Sequence, residues 1–129
     1  EDTAATEIST LSLHEAIPIS VSLTAADTLA AEGIEVEVID PRTLTPLDEE
    51  TLIGSVKKTS RCVVVDEGYQ RFGVTAEIAS VVAEQAFYDL EAPVKRIGAM
   101  DVPVPFSPAL EDATVPDVER IAQVVREIV

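Results

Sequence analysis

Arg61-Cys62-Val63-Val64-Val65-Asp66 places four apolar residues in a row between two charges. A strand with one face in water alternates apolar and polar residues. An unbroken apolar run bounded by charge belongs to a strand covered on both faces, inside a parallel or mixed sheet with helices above and below it. Outward from this run the sequence alternates helical and strand patterns, the rhythm of an α/β layered domain. Just upstream, Pro46-Leu47-Asp48 opens a helix in which Asp48 can accept from the free N–H groups of the first turn and Leu47 can pack on Leu52. Leu52, Ile53 and Val56 face its core, with Glu49 and Glu50 at the start and Lys57 and Lys58 at the end, each sign matched to the helix dipole. Before it, Ile34, Val36, Val38 and Ile39 read as a strand, expected to be central and ended by Asp40-Pro41. An earlier helix carries Leu23, Ala26, Leu29 and Ala30 on one face and stops at Gly33.

Downstream, the loop from Glu67 to Gly73 leads into a helix with Ile78, Val81, Val82 and Ala86 at helical spacing, running to about Tyr88. Pro93 precedes a strand over residues 94–97. Pro103, Pro105, Pro108 and Pro116 rule out a long regular element between Gly98 and Pro116 and predict an ordered, extended excursion over the surface. Val118, Ile121, Val125 and Ile128 define a terminal amphipathic helix started by Pro116 and Asp117. Residues 1–20 fit this rhythm poorly: a first strand is expected among them, but Pro18 interrupts it. They are read as an irregular N-terminal segment, foreign to the domain or disordered, and residues 21–129 as the domain.

The 129 residues make one compact domain of about 14 Å radius of gyration. With 47% hydrophobic residues the chain is too apolar for disorder, and no apolar run approaches the roughly 18 residues of a membrane-spanning helix. Twenty-four Asp and Glu against nine Lys and Arg give a formal charge of −15, a field that repels phosphate backbones and anionic lipid. Neither nucleic acid nor membrane is an expected partner; a basic protein surface is. The single cysteine, Cys62, excludes an internal disulfide and reads as a buried strand residue in a reducing compartment. His14 has no metal-spaced companion. The chain opens on Glu1 rather than Met, and the expectation is a piece of a longer polypeptide.

Adjacent Asp66 and Glu67 stand at a strand end, where α/β domains bind ligands, yet neighbours on a strand point to opposite faces and cannot straddle one bond. Gly68 and Gly73 make neither of the glycine-rich phosphate loops. Arg42 and Arg71 flank acidic strand ends and are expected in buried or interfacial ion pairs. No catalytic, cofactor-binding or metal-ligating residue is assigned.

Taken together, Val38-Ile39-Asp40-Pro41-Arg42-Thr43-Leu44-Thr45-Pro46-Leu47-Asp48, Val63-Val64-Val65-Asp66-Glu67, Phe72-Gly73, Leu90-Glu91-Ala92-Pro93-Val94 and Val102-Pro103-Val104-Pro105-Phe106-Ser107 resemble one family. Over about residues 21–129 the chain is similar to the transketolase C-terminal domain, in the version carried by the β subunit of the 2-oxo acid dehydrogenase decarboxylase, as in pyruvate dehydrogenase. The resemblance implies a three-layer α/β/α domain with a mostly parallel sheet of about five strands. It implies that thiamine diphosphate and magnesium are bound elsewhere in the parent enzyme, and that this piece alone binds neither and is inactive. The implied task is assembly with the α subunit and a second β subunit, and docking of the basic subunit-binding domain of the dihydrolipoyl acyltransferase. Asp89, Glu91 and the carboxylate of Val129 would make the docking contacts, and Tyr69, Phe72 and Gly73 the subunit contact. The implied compartment is the bacterial cytoplasm, or the mitochondrial matrix in a eukaryote. Upstream of Val21, Leu11 to Ser20 depart from the family pattern. Two alternatives stay open: the same domain of transketolase or deoxyxylulose phosphate synthase, and a free-standing small-ligand-binding α/β module.

Overall fold

A computed structural model describes residues 6–12, 16–103 and 105–129. His14, singled out above, lies outside them. Four strands, β1 (Thr6–Ser12), β2 (Ile34–Ile39), β3 (Cys62–Tyr69) and β4 (Lys95–Ala99), pair in the order β2-β1-β3-β4. Every pairing is parallel. Between them run α1 (Ala16–Ala30), α2 (Glu49–Thr59) and α3 (Val74–Ala86), and after β4 come α4 (Pro108–Thr114) and α5 (Val118–Glu127).

β3 explains the layering. Val63 and Val65 enter one core with Ala25 and Leu29 of α1 and Ile121, Ala122 and Val125 of α5. Cys62 and Val64 enter the other, with Leu52, Ile53 and Val56 of α2 and Ile78, Val82 and Ala86 of α3. Successive side chains on a strand point to opposite faces, so an all-apolar strand needs helices on both, and this one has them. Burial pushes the Cys62 thiol up to about 12, which leaves it an inert packing residue.

α2 starts as its sequence dictates. Asp48 accepts from the Thr51 backbone N–H at 3.1 Å and from its hydroxyl at 2.7 Å, and these bonds hold its carboxyl below the usual aspartate value. Ser60, in the left-handed region at φ 63°, closes the helix by donating its N–H to the Val56 carbonyl at 2.7 Å. Asp117 caps α5 in the same way, accepting from Arg120 N at 2.8 Å.

Four expectations are corrected. The described part of residues 1–20 is regular: β1 lies inside the sheet between β2 and β3, and α1 begins at Ala16, with Pro18 in its first turn, where the missing N–H has no helical acceptor to lose. β2 is an edge strand among the described residues, not a central one, and its alternating Glu35 and Glu37 are the mark of that half-exposed position. α1 buries Ser22, Ala25 and Leu29, while Leu23 and Ala30 face outward. The proline-rich excursion holds a seven-residue helix, α4, with Pro108 at its first position. The described residues contribute four strands to the parallel sheet.

Gly54 sits inside α2, exposed, and a Cβ built there meets nothing within 4 Å. Glycine in a helix interior costs about 0.5–1 kcal/mol relative to alanine. Gly54→Ala is therefore expected to stabilise the chain by about 0.7 kcal/mol, read as a higher urea midpoint at unchanged slope. A lower midpoint would reveal an internal demand for glycine that the contacts do not show.

Candidate assembly surface

The core contains no aromatic ring. Its largest fully buried side chains are Leu29, Leu52, Ile78, Ile97, Ile121 and four valines. All five aromatic residues of the chain face outward: Tyr69 is 44% exposed, Phe87 63%, and Tyr88, Phe72 and Phe106 between 97% and 105%. A folded chain gains most from burying its largest apolar groups, so leaving every one of them outside marks surfaces that something else covers.

Phe72 is the extreme case. It holds φ at +56°, in the left-handed region that costs a non-glycine residue about 1 kcal/mol or more, while its ring touches solvent on all sides. Next to it, Gly73 opens α3 with extended backbone, and its missing side chain has a reason: a Cβ would stand 2.0 Å from the Tyr69 carbonyl oxygen. The loop is tied down from three sides. Tyr69 donates its hydroxyl to the Val102 carbonyl at 3.0 Å, Arg96 donates to the Gln70 carbonyl at 2.6 Å, and Arg71 pairs with Asp101 at 3.3 Å. Gly98 of β4 lets this loop pass, because a Cβ there would meet Gln70 N and the Gly68 carbonyl at 2.8 Å. Tyr69, Phe72 and Gly73 thus form one fixed corner.

From that corner a groove of about 820 Å³ runs along the outer face of α3. Ala76, Ala79, Ser80 and Ala83 make its floor, Phe72 closes one end and Phe87 the other, and Leu90, Pro93 and Val94 form a wall. Its only ionisable lining groups are Arg71 and Arg96, both at the Phe72 end. A short 3₁₀ turn, Phe87–Asp89, follows α3, and Phe87 stacks edge-on against Tyr88 with ring centroids 5.2 Å apart.

The predicted docking residues lie at the end of this turn, just beyond it and at the last residue of the chain. Asp89 is exposed on the 3₁₀ turn, and the Glu91 carboxylate, 63% exposed, pairs with Arg61 at 3.1 Å. Arg61 is the residue that sequence reasoning missed. Only 20% exposed, it also donates to the Ile128 carbonyl at 2.6 Å, so the same guanidinium holds Glu91 and the residue before Val129. Glu91 N adds a bond to the Ser60 carbonyl at 2.9 Å. The Glu91 loop and the C-terminal turn are thereby one surface. A basic residue directly before a buried strand was the available signal.

Arg42 and Arg71 do find acidic partners, Asp40 at 3.7 Å and Asp101 at 3.3 Å, but on the open surface, with the arginines 86% and 80% exposed. Such pairs contribute little to stability. Asp66 accepts the Gly68 N–H at 3.2 Å. At the far edge of the sheet, bonds from Lys58 and Ser55 hold the Glu37 carboxyl below its ordinary value.

Thiamine diphosphate and magnesium do not fit these residues. Among the described residues no three His, Cys, Asp or Glu side chains converge. The space above Gly68 and Gly73, where a phosphate cradle would open, is filled by the Asp66 carboxylate and the Tyr69 carbonyl, both of which repel an anion. Among the described residues no helix is long and apolar enough to cross a membrane.

Comparison with known proteins agrees with this architecture. The family of the transketolase C-terminal domain matches residues 16–121. The acetoin:2,6-dichlorophenolindophenol oxidoreductase subunit beta of Bacillus subtilis (strain 168) is 44% identical over 110 residues, 85% of this chain and 32% of that protein. The pyruvate dehydrogenase E1 component subunit beta-1, mitochondrial, of Arabidopsis thaliana is 47% identical over 105 residues, 81% of this chain and 29% of that protein. The chain thus spans about a third of the length of these relatives. Among solved structures, a split gene transketolase, in its inactive beta4 tetramer, superposes with a TM-score of 0.79 at 27% identity, over 96% of this chain and 38% of that one. A 2-oxoglutarate:ferredoxin oxidoreductase from Magnetococcus marinus shares the fold at a TM-score of 0.60 and 15% identity. By the match over residues 16–121, the chain belongs to the transketolase C-terminal domain family.

Proposed function

We propose that the chain is the assembly and partner-docking domain of the β subunit of a thiamine diphosphate-dependent 2-oxo acid dehydrogenase of the pyruvate dehydrogenase type. The observation that carries this reading is the placement of all five aromatic rings on the surface of a domain whose core is aliphatic. Aromatic side chains are enriched at interfaces. In this reading the parent enzyme decarboxylates a 2-oxo acid oxidatively and passes the acyl group to a lipoyl carrier, using thiamine diphosphate and magnesium held outside this domain. The relatives named as β subunits of pyruvate dehydrogenase and of the acetoin oxidoreductase support it. Its compartment would be the bacterial cytoplasm or the mitochondrial matrix.

The domain contributes two surfaces. The Tyr69-Phe72-Gly73 corner and the α3 groove meet other subunits, the α chain and a second β chain. Asp89, Glu91 and the Val129 carboxylate receive the basic subunit-binding domain of the acyltransferase. Charges at a rim set association rate and partner choice, so a net charge of −15 favours a cationic partner. Arg61 keeps the Glu91 side chain and the last turn in register for that encounter.

Titrating the chain with an isolated acyltransferase subunit-binding domain, at about 25 mM and at about 500 mM salt, tests the docking. Across that range the screening length shrinks from about 20 Å to about 4 Å. A complex is expected at low salt and weakened at high salt, and Glu91→Lys is expected to weaken it about tenfold or more. No complex at low salt, or one indifferent to both salt and Glu91→Lys, removes the reading. The likeness to the split gene transketolase favours a second reading, the same domain of a transketolase. That reading predicts no affinity for the acyltransferase domain.

A further inference from the structure

We propose that the outer edge of β2 is a docking site for an extended, cationic segment of a partner protein, which adds to the sheet as a further strand. The site lies at the edge of the described sheet opposite β4 and does not depend on the assembly reading above. Alternate residues of a strand turn both N–H and C=O to the same side, so half of the β2 backbone points away from β1. Among the described residues no other backbone group meets it. Edge strands are usually blunted by lysine, proline, a bulge or a covering segment. The 6 residues of β2 include neither lysine nor proline, and their register with β1 is unbroken from Ile34 to Ile39. Its apolar side chains are also only half covered. Ile34, Val36, Val38 and Ile39 all stay partly exposed, whereas Val63, Val64 and Val65 of β3, with a strand on each side, are fully buried.

The glutamates select the occupant. Ile34, Val36 and Val38 share the face toward α1 and α5, and Glu35, Glu37 and Ile39 the face toward α2. Glu37 accepts from Ser55 and Lys58 of α2, while Glu35 is exposed and meets no described partner. Like charge argues against a second copy of this chain: an antiparallel pair centred on Glu35, Val36 or Glu37 sets glutamate directly opposite glutamate, which is destabilising. A segment alternating lysine or arginine with apolar residues fits both faces. Its cations lie beside Glu35 and Glu37, and its apolar residues extend the layer of Ile34, Val36 and Val38. The field of a chain with net charge −15 attracts such a segment. Room exists on the α2 side as well. An added strand would lie about 4.8 Å outside β2. There a groove of about 400 Å³ opens between β2 and α2, lined by Glu37, Ile39, Thr51, Gly54 and Lys58 among others. Lys58 is the one cation of this lining, and Glu37 holds it. A Cβ at Gly54 would meet nothing within 4 Å, so this glycine, unfavourable inside a helix, leaves a shelf for side chains of the incoming strand.

Fluorescence anisotropy of a labelled peptide, as long as β2 and alternating lysine with valine, tests the site on the whole chain. One added strand makes a contact far smaller than a standard interface, so Kd is expected at about 10–100 μM in low salt. Glu35→Lys should raise Kd about tenfold or more. Gly54→Leu, which fills the shelf, should also weaken binding without lowering the urea midpoint, and Glu91→Lys should leave binding unchanged. Two further peptides, N-methylated on alternate amides, separate main-chain pairing from charge. Methyl groups on the amides that face β2 should abolish binding, and those on the other set should spare it. Hydrogen exchange of the chain should slow at alternate amides of β2 when the parent peptide is added. No binding at about 1 mM peptide, a Kd too weak for the expected complex, overturns the proposal. So does equal binding of the two methylated peptides, which reduces the contact to charge, and so does loss on Glu91→Lys without loss on Glu35→Lys, which moves it to the other acidic surface. A dimer of the chain that protects the same β2 amides overturns it too, since the edge would then belong to a second copy.

Discussion

Gly73→Ala is expected to lower the stability of the chain by about 3 kcal/mol, at the upper end of what overpacking costs, and to take the α3 groove with it. The added methyl would sit 2.0 Å from the Tyr69 carbonyl oxygen, well inside any tolerated contact. Relief by rotating a side chain is not open, since both partners are backbone. Tyr69 cannot retreat: it ends β3, pairs with Ala99 of β4 and is bonded through its hydroxyl to the Val102 carbonyl. The strain must therefore fall on the start of α3, where Thr75 and Ile78 are fully buried and resist displacement. Urea unfolding followed by circular dichroism reads the loss, and Gly54→Ala, the same chemical change in open space, supplies the contrast in sign. An unchanged midpoint for Gly73→Ala would show that the Phe72 corner yields easily and is not a fixed element.

The parts of the fold that the sequence announces are those whose causes are local. The four apolar residues after Arg61, the Asp48 and Asp117 caps and the face of α5 each depend on neighbours within one or two turns, and each stands where it was expected. The misreadings come from relations across the sheet. β1 is rich in Thr and Ser and carries little apolar signal of its own, yet it occupies a central place because β2 and β3 pair on both its edges. β2 looks central by its β-branched residues and is an edge, since strand order is a property of crossovers and not of composition. The surfaces show the same division. Glu91 and Val129 could be singled out one at a time, whereas their shared tether to Arg61 spans 67 residues between Arg61 and Ile128 and has no sequence pattern. The outward placement of Phe72 and Phe87 runs against the expectation that large apolar residues are buried, and only packing shows that the core is already full without them.

Ile121→Ala should cost about 3 kcal/mol, within the 2–5 kcal/mol typical of removing a large aliphatic core side chain. Ile121 is 1% exposed and joins α5 to Leu29 of α1 and to Val63, Val65 and Ile97 of the sheet, so the cavity would open where three elements meet. Its consequence for docking is separable from its consequence for folding. α5 ends at the Ile128 carbonyl that Arg61 holds, so loosening the helix frees the last turn and leaves the Arg61 guanidinium to Glu91 alone. Ile78→Ala, at 1% exposure in the opposite core, should cost a comparable amount while leaving that turn in place. Hydrogen exchange distinguishes the two: Ile121→Ala should deprotect the amides of α5 and of Glu91, and Ile78→Ala those of α3. At equal overall stability, set by adjusting urea, only the first should weaken binding of the acyltransferase domain. If both weaken it alike, the contact depends on global stability and the Arg61 tether has no part in it.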